Sequence, residues 1–171
     1  MKRFCAKPPE SIAELCLVRL GVEARGVSGF LYMARLGGHI DRSAADAIEA
    51  GSGLLHSERF RLGFSKFGYL QYWKSFDSLE AWTRTSPHVD WWRKAAERIR
   101  TRGDISIYHE AYLVDRNRCE SIYLNMGSER AGLASFGDLS EPVGASTTAR
   151  DRLGRREARA TPSFDDGAER K

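Results

Sequence analysis

The chain has 171 residues, 42% hydrophobic and 29% charged, which suits one globular domain able to bury most of its apolar surface. No apolar run approaches the roughly 20 residues of a membrane-spanning helix, so no membrane partner is expected. The formal charge of +4 is spread along the chain without a Lys/Arg block, whereas nucleic-acid binding requires a basic stripe, so no nucleic acid is expected either.

Residues 1–13 contain Pro8-Pro9 and read as a flexible leader. Glu10 and Glu14 interrupt any signal-peptide apolar stretch, and Cys5, Cys16 and Cys119 lack disulfide or zinc spacing, so a reducing, cytoplasmic setting is expected. Leu15 to Val22 is an apolar run expected as a strand, with one charge inside it, Arg19. Beyond Gly26, the residues Val27, Phe30, Leu31, Ala34 and Leu36 give a helical face that Gly37-Gly38 is expected to break. Asp41 then caps a second helix over Arg42–Ala50, with Ala44, Ala45 and Ile48 on one side, and Gly51 and Gly53 stop it. Leu54–Phe60 and Tyr69–Ser75 follow as strands, and the short link between them predicts an antiparallel hairpin.

Asp77-x-x-Glu80 has the pattern of a capping box and starts a helix near Ser78. Ser86-Pro87 starts the next, with Pro87 at the first helical position; Trp91, Trp92, Ala95, Ala96 and Ile99 follow at helical spacing, and Gly103 ends it. Asp104–Val114 alternates, with Ile105, Ile107, His109, Ala111 and Leu113 on one face and Ser106, Tyr108, Glu110 and Tyr112 on the other. Arg118–Asn125 is expected as a fifth strand after the turn at Asp115-Arg116-Asn117. This order predicts an α+β fold over residues 14–136, a ferredoxin-like antiparallel sheet with helices on one face. From about Gly137 apolar residues thin out, so 137–171 is expected to be a mostly disordered tail in which only Thr148–Leu153 can form a helical turn.

The chemistry concentrates on few side chains. His109 shares its strand face with isoleucines, alanine and leucine. It reads either as a pocket base or haem ligand, both served by neutral imidazole, or as a buried core histidine bonded to its surroundings. His88-Val89-Asp90 with His109 superficially matches an iron-binding facial triad. Residues two apart on a helix point about 200° apart, however, and Pro87 favours a helix there, which argues against an iron site. Tyr69, Tyr72, Trp73, Trp82, Trp91 and Trp92 gather aromatic surface; most are expected as core, with Tyr72 and Trp92 as pocket members. Arg19 is expected either to bind a carboxylate or a haem propionate, or to pair with an acid across a dimer interface. No dinucleotide, P-loop, nucleophile-elbow or zinc-helix motif is present in the sequence.

The runs Leu70-Gln71-Tyr72-Trp73-Lys74-Ser75-Phe76-Asp77-Ser78-Leu79-Glu80-Ala81-Trp82, His88…Trp92-Arg93, Gly103–Tyr112 and Glu120-Ser121-Ile122-Tyr123-Leu124-Asn125-Met126 occur in that order, with Ser146–Leu153 near the end. Together they resemble the monooxygenase-like domain family named after a member of a fungal fumagillin biosynthetic cluster, well over about 54–153 and loosely over 15–50. The resemblance implies a dimeric α+β barrel in a superfamily that holds cofactor-free antibiotic-biosynthesis monooxygenases, haem-degrading enzymes and haem-containing aldoxime dehydratases. Asp90 and Gly127 stand where that family commonly has proline. The expectation is thus a homodimeric, monooxygenase-like oxidoreductase of secondary metabolism, with His109 as catalytic base and Tyr72, Trp92, Arg19 and His88 binding a small apolar substrate. No cofactor is assumed. The alternatives are a haem-binding, aldoxime-dehydratase-like lyase with His109 as haem ligand, and a non-catalytic dimeric ligand-binding protein.

Overall fold

The computed structural model describes residues 2–144 and 147–153. Its main sheet is built from β2 (Glu14–Ala24), β3 (Leu54–Arg61), β4 (Lys66–Trp73) and β5 (Ile105–Asp115), in the order β3-β4-β2-β5. All neighbours are antiparallel. The β3–β4 hairpin forms as its short link predicts, with an irregularity between Leu54 and His56. Helix α1 (Gly26–Glu49) links β2 to β3, and α2 (Phe76–Thr83) with α3 (His88–Arg102) links β4 to β5. Two β–α–β crossovers interleaved in this strand order make the ferredoxin-like α+β fold of the dimeric α+β barrel type.

Strand parity decides which residues meet the helices. Cys16, Val18, Leu20, Val22 and Ala24 of β2 pair across β4 with Trp73, Gln71, Tyr69 and Phe67, and across β5 with Leu113, Ala111, His109, Ile107 and Ile105. The row faces Met33, Leu36, Ile40, Ala44 and Ala47 of α1, Leu79 of α2 and Ala95 of α3. Trp73 and Val18 are fully excluded from solvent, and burial of side chains of this size stabilises by about 1.5–3 kcal/mol each.

Helix α1 is one continuous element, where the sequence suggests a break at Gly37-Gly38. Close packing explains the first glycine: a Cβ on Gly37 would lie 3.1 Å from the Phe67 ring and 2.8 Å from the Arg59 guanidinium. The Tyr69 hydroxyl donates to the Gly37 carbonyl at 2.9 Å and to Asp41 at 2.6 Å, and Arg59 pairs with Asp41. Tertiary packing here overrides helix propensity. The buried face runs through Gly29, Met33, Leu36, Gly37, Ile40, Ser43, Ala44 and Ala47. Val27 and Leu31 are exposed, as are Ala45 and Ile48, contrary to the faces read from the sequence.

Helix α2 is capped by Ser75, whose hydroxyl accepts from Ser78 N–H at 3.1 Å, so Asp77 lies in the first turn and is not the cap. Pro87 precedes α3 by one residue, and Gly103 ends it in the left-handed conformation. The expected fifth strand shrinks to β6 (Tyr123–Leu124), after a 3-10 turn at Arg116–Arg118. Its partner is not β5 but β1 (Arg3–Lys7), which lies inside the expected leader and also pairs with β7 (Asp138–Ser140). This small sheet covers one end of the main sheet's second face, burying Ala6, Ile12, Leu15, Tyr72, Cys119, Leu133 and Ala134 together. The helical turn α4 (Ala149–Arg152) forms with a Thr148/Asp151 capping box, and Arg152 pairs with Glu120. The rest of the expected tail beyond residue 153 lies outside the described residues.

Candidate active site

Between the sheet and helices α2 and α3 lies a cavity of about 30 Å³, bounded on the sheet side by Leu20, Gln71, Ile107 and His109. Its other walls are Trp82, Thr83, His88, Trp91 and Trp92. The volume holds about one water.

His88 stands at the start of α3 and is enclosed by aromatic rings. The centroids of Trp82, Trp91 and Trp92 lie 4.7, 4.5 and 6.3 Å from its own, Trp91 edge-on and Trp92 nearly parallel. Its Nδ1 lies 2.9 Å from the Thr83 carbonyl oxygen. Burial pushes its pKa below the usual histidine value; the Thr83 carbonyl partly opposes this, and the neighbouring His109 adds to it. His109 enters from edge strand β5 opposite Leu20. It stands at the cavity rim: one side reaches solvent, while the apolar wall on the other pushes its pKa down by desolvation. Its ring has no hydrogen-bond partner among the described residues. Two imidazoles biased toward the neutral form are thus presented to one apolar space, a state in which each can take up a proton.

Of the residues singled out from the sequence, His109, His88 and Trp92 come together here. Tyr72 and Arg19 do not, because their strand parity puts them on the opposite face of the sheet. Tyr72 is packed under the small sheet against Phe136, and desolvation followed by the nearby Glu58 charge pushes its hydroxyl up to about 12. Arg19 pairs with Glu110 of its own chain at 2.9 Å and lies over the Tyr108 ring, where the sequence reading has an acid across the dimer as its alternative. Asp90 bonds Ser86 and Arg93 and lines a different cleft from His88, so the H-x-D pair does not converge.

Gln71 was missed, although it is a lone polar residue in the alternation Phe67, Tyr69, Gln71, Trp73 and the parity argument used for His109 finds it equally. It is buried, bonded to Trp73 and Ser57. Trp91, grouped with the core on sequence, separates the cavity from a larger cleft outside, and its buried indole N–H has no acceptor among the described residues.

Residues 17–133 match the sequence model of the family described as Monooxygenase af470-like. The chain belongs to that family. No curated protein is detectably similar to it. Among solved structures, an aldoxime dehydratase aligns with a TM-score of 0.67 at 18% identity, over 90% of this chain and 44% of its own. A second aldoxime dehydratase, crystallised with butyraldoxime, aligns at 0.65 and 14%, over 88% and 42%. SnoaB, a cofactor-independent oxygenase from Streptomyces nogalater, aligns at 0.41 and 14%, over 58% and 91%. The chain spans less than half the length of the aldoxime dehydratases, and at these identities the likeness is one of fold. Membership of the af470-like family associates the chain with monooxygenase-like function in general.

Proposed function

We propose that the protein is a cofactor-independent, small-molecule monooxygenase of secondary metabolism acting on an apolar, electron-rich substrate. One observation carries this reading: His109, unpartnered among the described residues and with its pKa lowered by desolvation, faces a cavity walled by tryptophans. As general base it removes a proton from an activated C–H group. The carbanion adds to oxygen as a hydroperoxide, which loses water to leave a carbonyl, so one oxygen atom enters the product and the other leaves as water. His88, held by Thr83, and Trp92 position the substrate ring. Trp91 swings outward to admit it, since the closed cavity has no room for it.

The haem alternative fits these residues poorly. The space beside His109 is about 30 Å³, and a macrocycle asks for far more of the helix layer to be displaced than the single substrate ring that Trp91 admits. No step is routed through haem. A homodimer is part of the proposal, formed through the part of the second sheet face that the small sheet leaves uncovered, where Arg19, Glu110 and Tyr112 are exposed. The three cysteines, free and buried, support the cytoplasmic setting.

The test is oxygen uptake by metal-free protein supplied with an anthrone, whose doubly benzylic C–H is acidic. Uptake that His109→Ala abolishes supports the reading. Thermal stabilisation by the anthrone without uptake would instead favour a non-catalytic binding protein.

A further inference from the structure

The larger cleft outside Trp91, about 460 Å³ between α1 and α3, has a volume in the range of small-molecule sites. Its floor is apolar, made by Leu36 and Trp91, the same residues that back the inner cavity. Its rim is cationic. Arg35, next to Leu36 on α1, and Lys94, one turn from Trp91 on α3, supply the cations, while the His39 ring on the same wall lies 3.3 Å from Arg42. Arg35 and Lys94 are exposed and have no carboxylate partner among the described residues. The one acid on the wall, Asp90, is already engaged by Ser86 at 2.9 Å and Arg93 at 3.0 Å. Trp91 Nε1–H adds the decisive detail: it is buried, it can only donate, and no acceptor among the described residues meets it.

We infer that this cleft is a binding site for an aromatic carboxylic acid. Arg35 and Lys94 hold the carboxylate at the rim, the ring rests on Leu36, and Trp91, turned outward from the inner cavity, brings its buried indole N–H to a ligand oxygen. An apolar floor with convergent cations selects an amphipathic anion over a neutral hydrocarbon. An indole that donates to the ligand and also walls the inner cavity couples occupancy of the cleft to opening of that cavity. The site stands on its own geometry; only its identity as the substrate's anchoring subsite rests on the oxygenase reading above.

The experiment titrates full-length protein with 1-naphthoate, using 1-naphthamide as the neutral control. Affinity is read by calorimetry, and the indole N–H resonances by nitrogen-edited NMR, with Trp91 assigned by its loss in Trp91→Phe. Naphthoate is expected to bind and to move the Trp91 indole proton downfield. Arg35→Gln and Lys94→Gln should each weaken it by about tenfold or more, and naphthamide should bind weaker by a similar factor. Failure of naphthoate to bind, equal binding of acid and amide, or binding indifferent to both substitutions overturns the inference. His109→Ala should leave naphthoate binding intact. Binding without oxygen uptake therefore sinks the oxygenase reading alone, and uptake without naphthoate binding sinks this one alone.

Discussion

The Nδ1 atom of His88 lies 2.9 Å from the carbonyl oxygen of Thr83. A carbonyl only accepts, so Nδ1 carries the ring proton, and in the neutral ring the lone pair is left on Nε2. That tautomer is maintained while burial holds the ring below its usual pKa.

A pH dependence of stability follows from both histidines. Their folded-state pKa values are depressed, His88 by burial foremost and His109 by desolvation. Below the unfolded value of about 6.5, the unfolded chain takes up protons that the folded chain refuses, so stability is full above that pH and falls as the pH drops through the folded values. Melting curves from about pH 7.5 to about pH 5 should show Tm falling with acidity. His88→Gln should flatten that slope, and an identical slope in the variant would remove the linkage. Activity, where measured, should extend below the usual histidine range on its acid limb for the same reason.

Two glycines of α1 should respond to alanine in opposite directions. A Cβ on Gly29 would lie 2.2 Å from the backbone carbonyl oxygen of Asp104, which cannot move without disturbing the start of β5. Gly29→Ala should destabilise by about 1–3 kcal/mol. A Cβ on Gly38 would meet nothing within 4 Å beyond its own helix backbone, and the residue sits inside the helix. Gly38→Ala should stabilise by up to about 1 kcal/mol, because alanine has less backbone freedom to lose. Denaturant unfolding of the two variants checks both signs.

Those glycines also mark where the sequence stops being legible. Period-two alternation reads the strand and its two faces from Ile105 to Leu113, although on this edge strand His109, Ala111 and Leu113 stay exposed where the sequence expects cover, and the turn chemistry at Gly103 places a real helix end. A glycine pair reads as a break because its intrinsic cost is local, while the contacts that hold α1 together at Gly37 come from Arg59, Phe67 and Tyr69, distant in sequence. The same holds for β1 and β6, short strands whose partners lie over a hundred positions away and whose pairing no local pattern encodes. In the cavity, parity was enough to find His109 and would have found Gln71. It also places Tyr72 and Arg19 on the wrong face once the register of β2 against β4 is known: Leu17 opposite Tyr72 and Arg19 opposite Leu70.

Tyr108 lies flat across the second face of the sheet, over glycines on two neighbouring strands. A Cβ on Gly21 would meet its ring and hydroxyl at 2.4–2.5 Å, and one on Gly68 would meet the hydroxyl at 2.7 Å. Arg19 and Lys66 lie over the ring at 5.0 and 5.8 Å from its centroid. Gly21→Ala should therefore destabilise by about 1–3 kcal/mol in the native background. Most of that loss should vanish when Tyr108→Ala is already present, since the clash has been removed. A double-mutant cycle reads this as a coupling energy, and simple additivity would show that Gly21 matters for some other reason.

Haem addition discriminates between the proposed oxygenase and its haem-lyase alternative. A haem lyase needs His109 Nε2 or Nδ1 at the iron and a slot for the macrocycle beside it. The imidazole is available, being unpartnered among the described residues, but the space it faces is about 30 Å³ and is closed by Trp82, Trp91 and Trp92. Admitting a substrate moves Trp91, whereas a macrocycle would also displace Trp82, whose ring centroid lies 4.7 Å from that of His88. Titration with haemin should therefore yield no Soret band dependent on His109, and native protein and His109→Ala should give superimposable spectra. A sharp band present only in the native protein would show that the helix layer parts from the sheet far enough to admit haem, and would replace the oxygenase reading with the lyase.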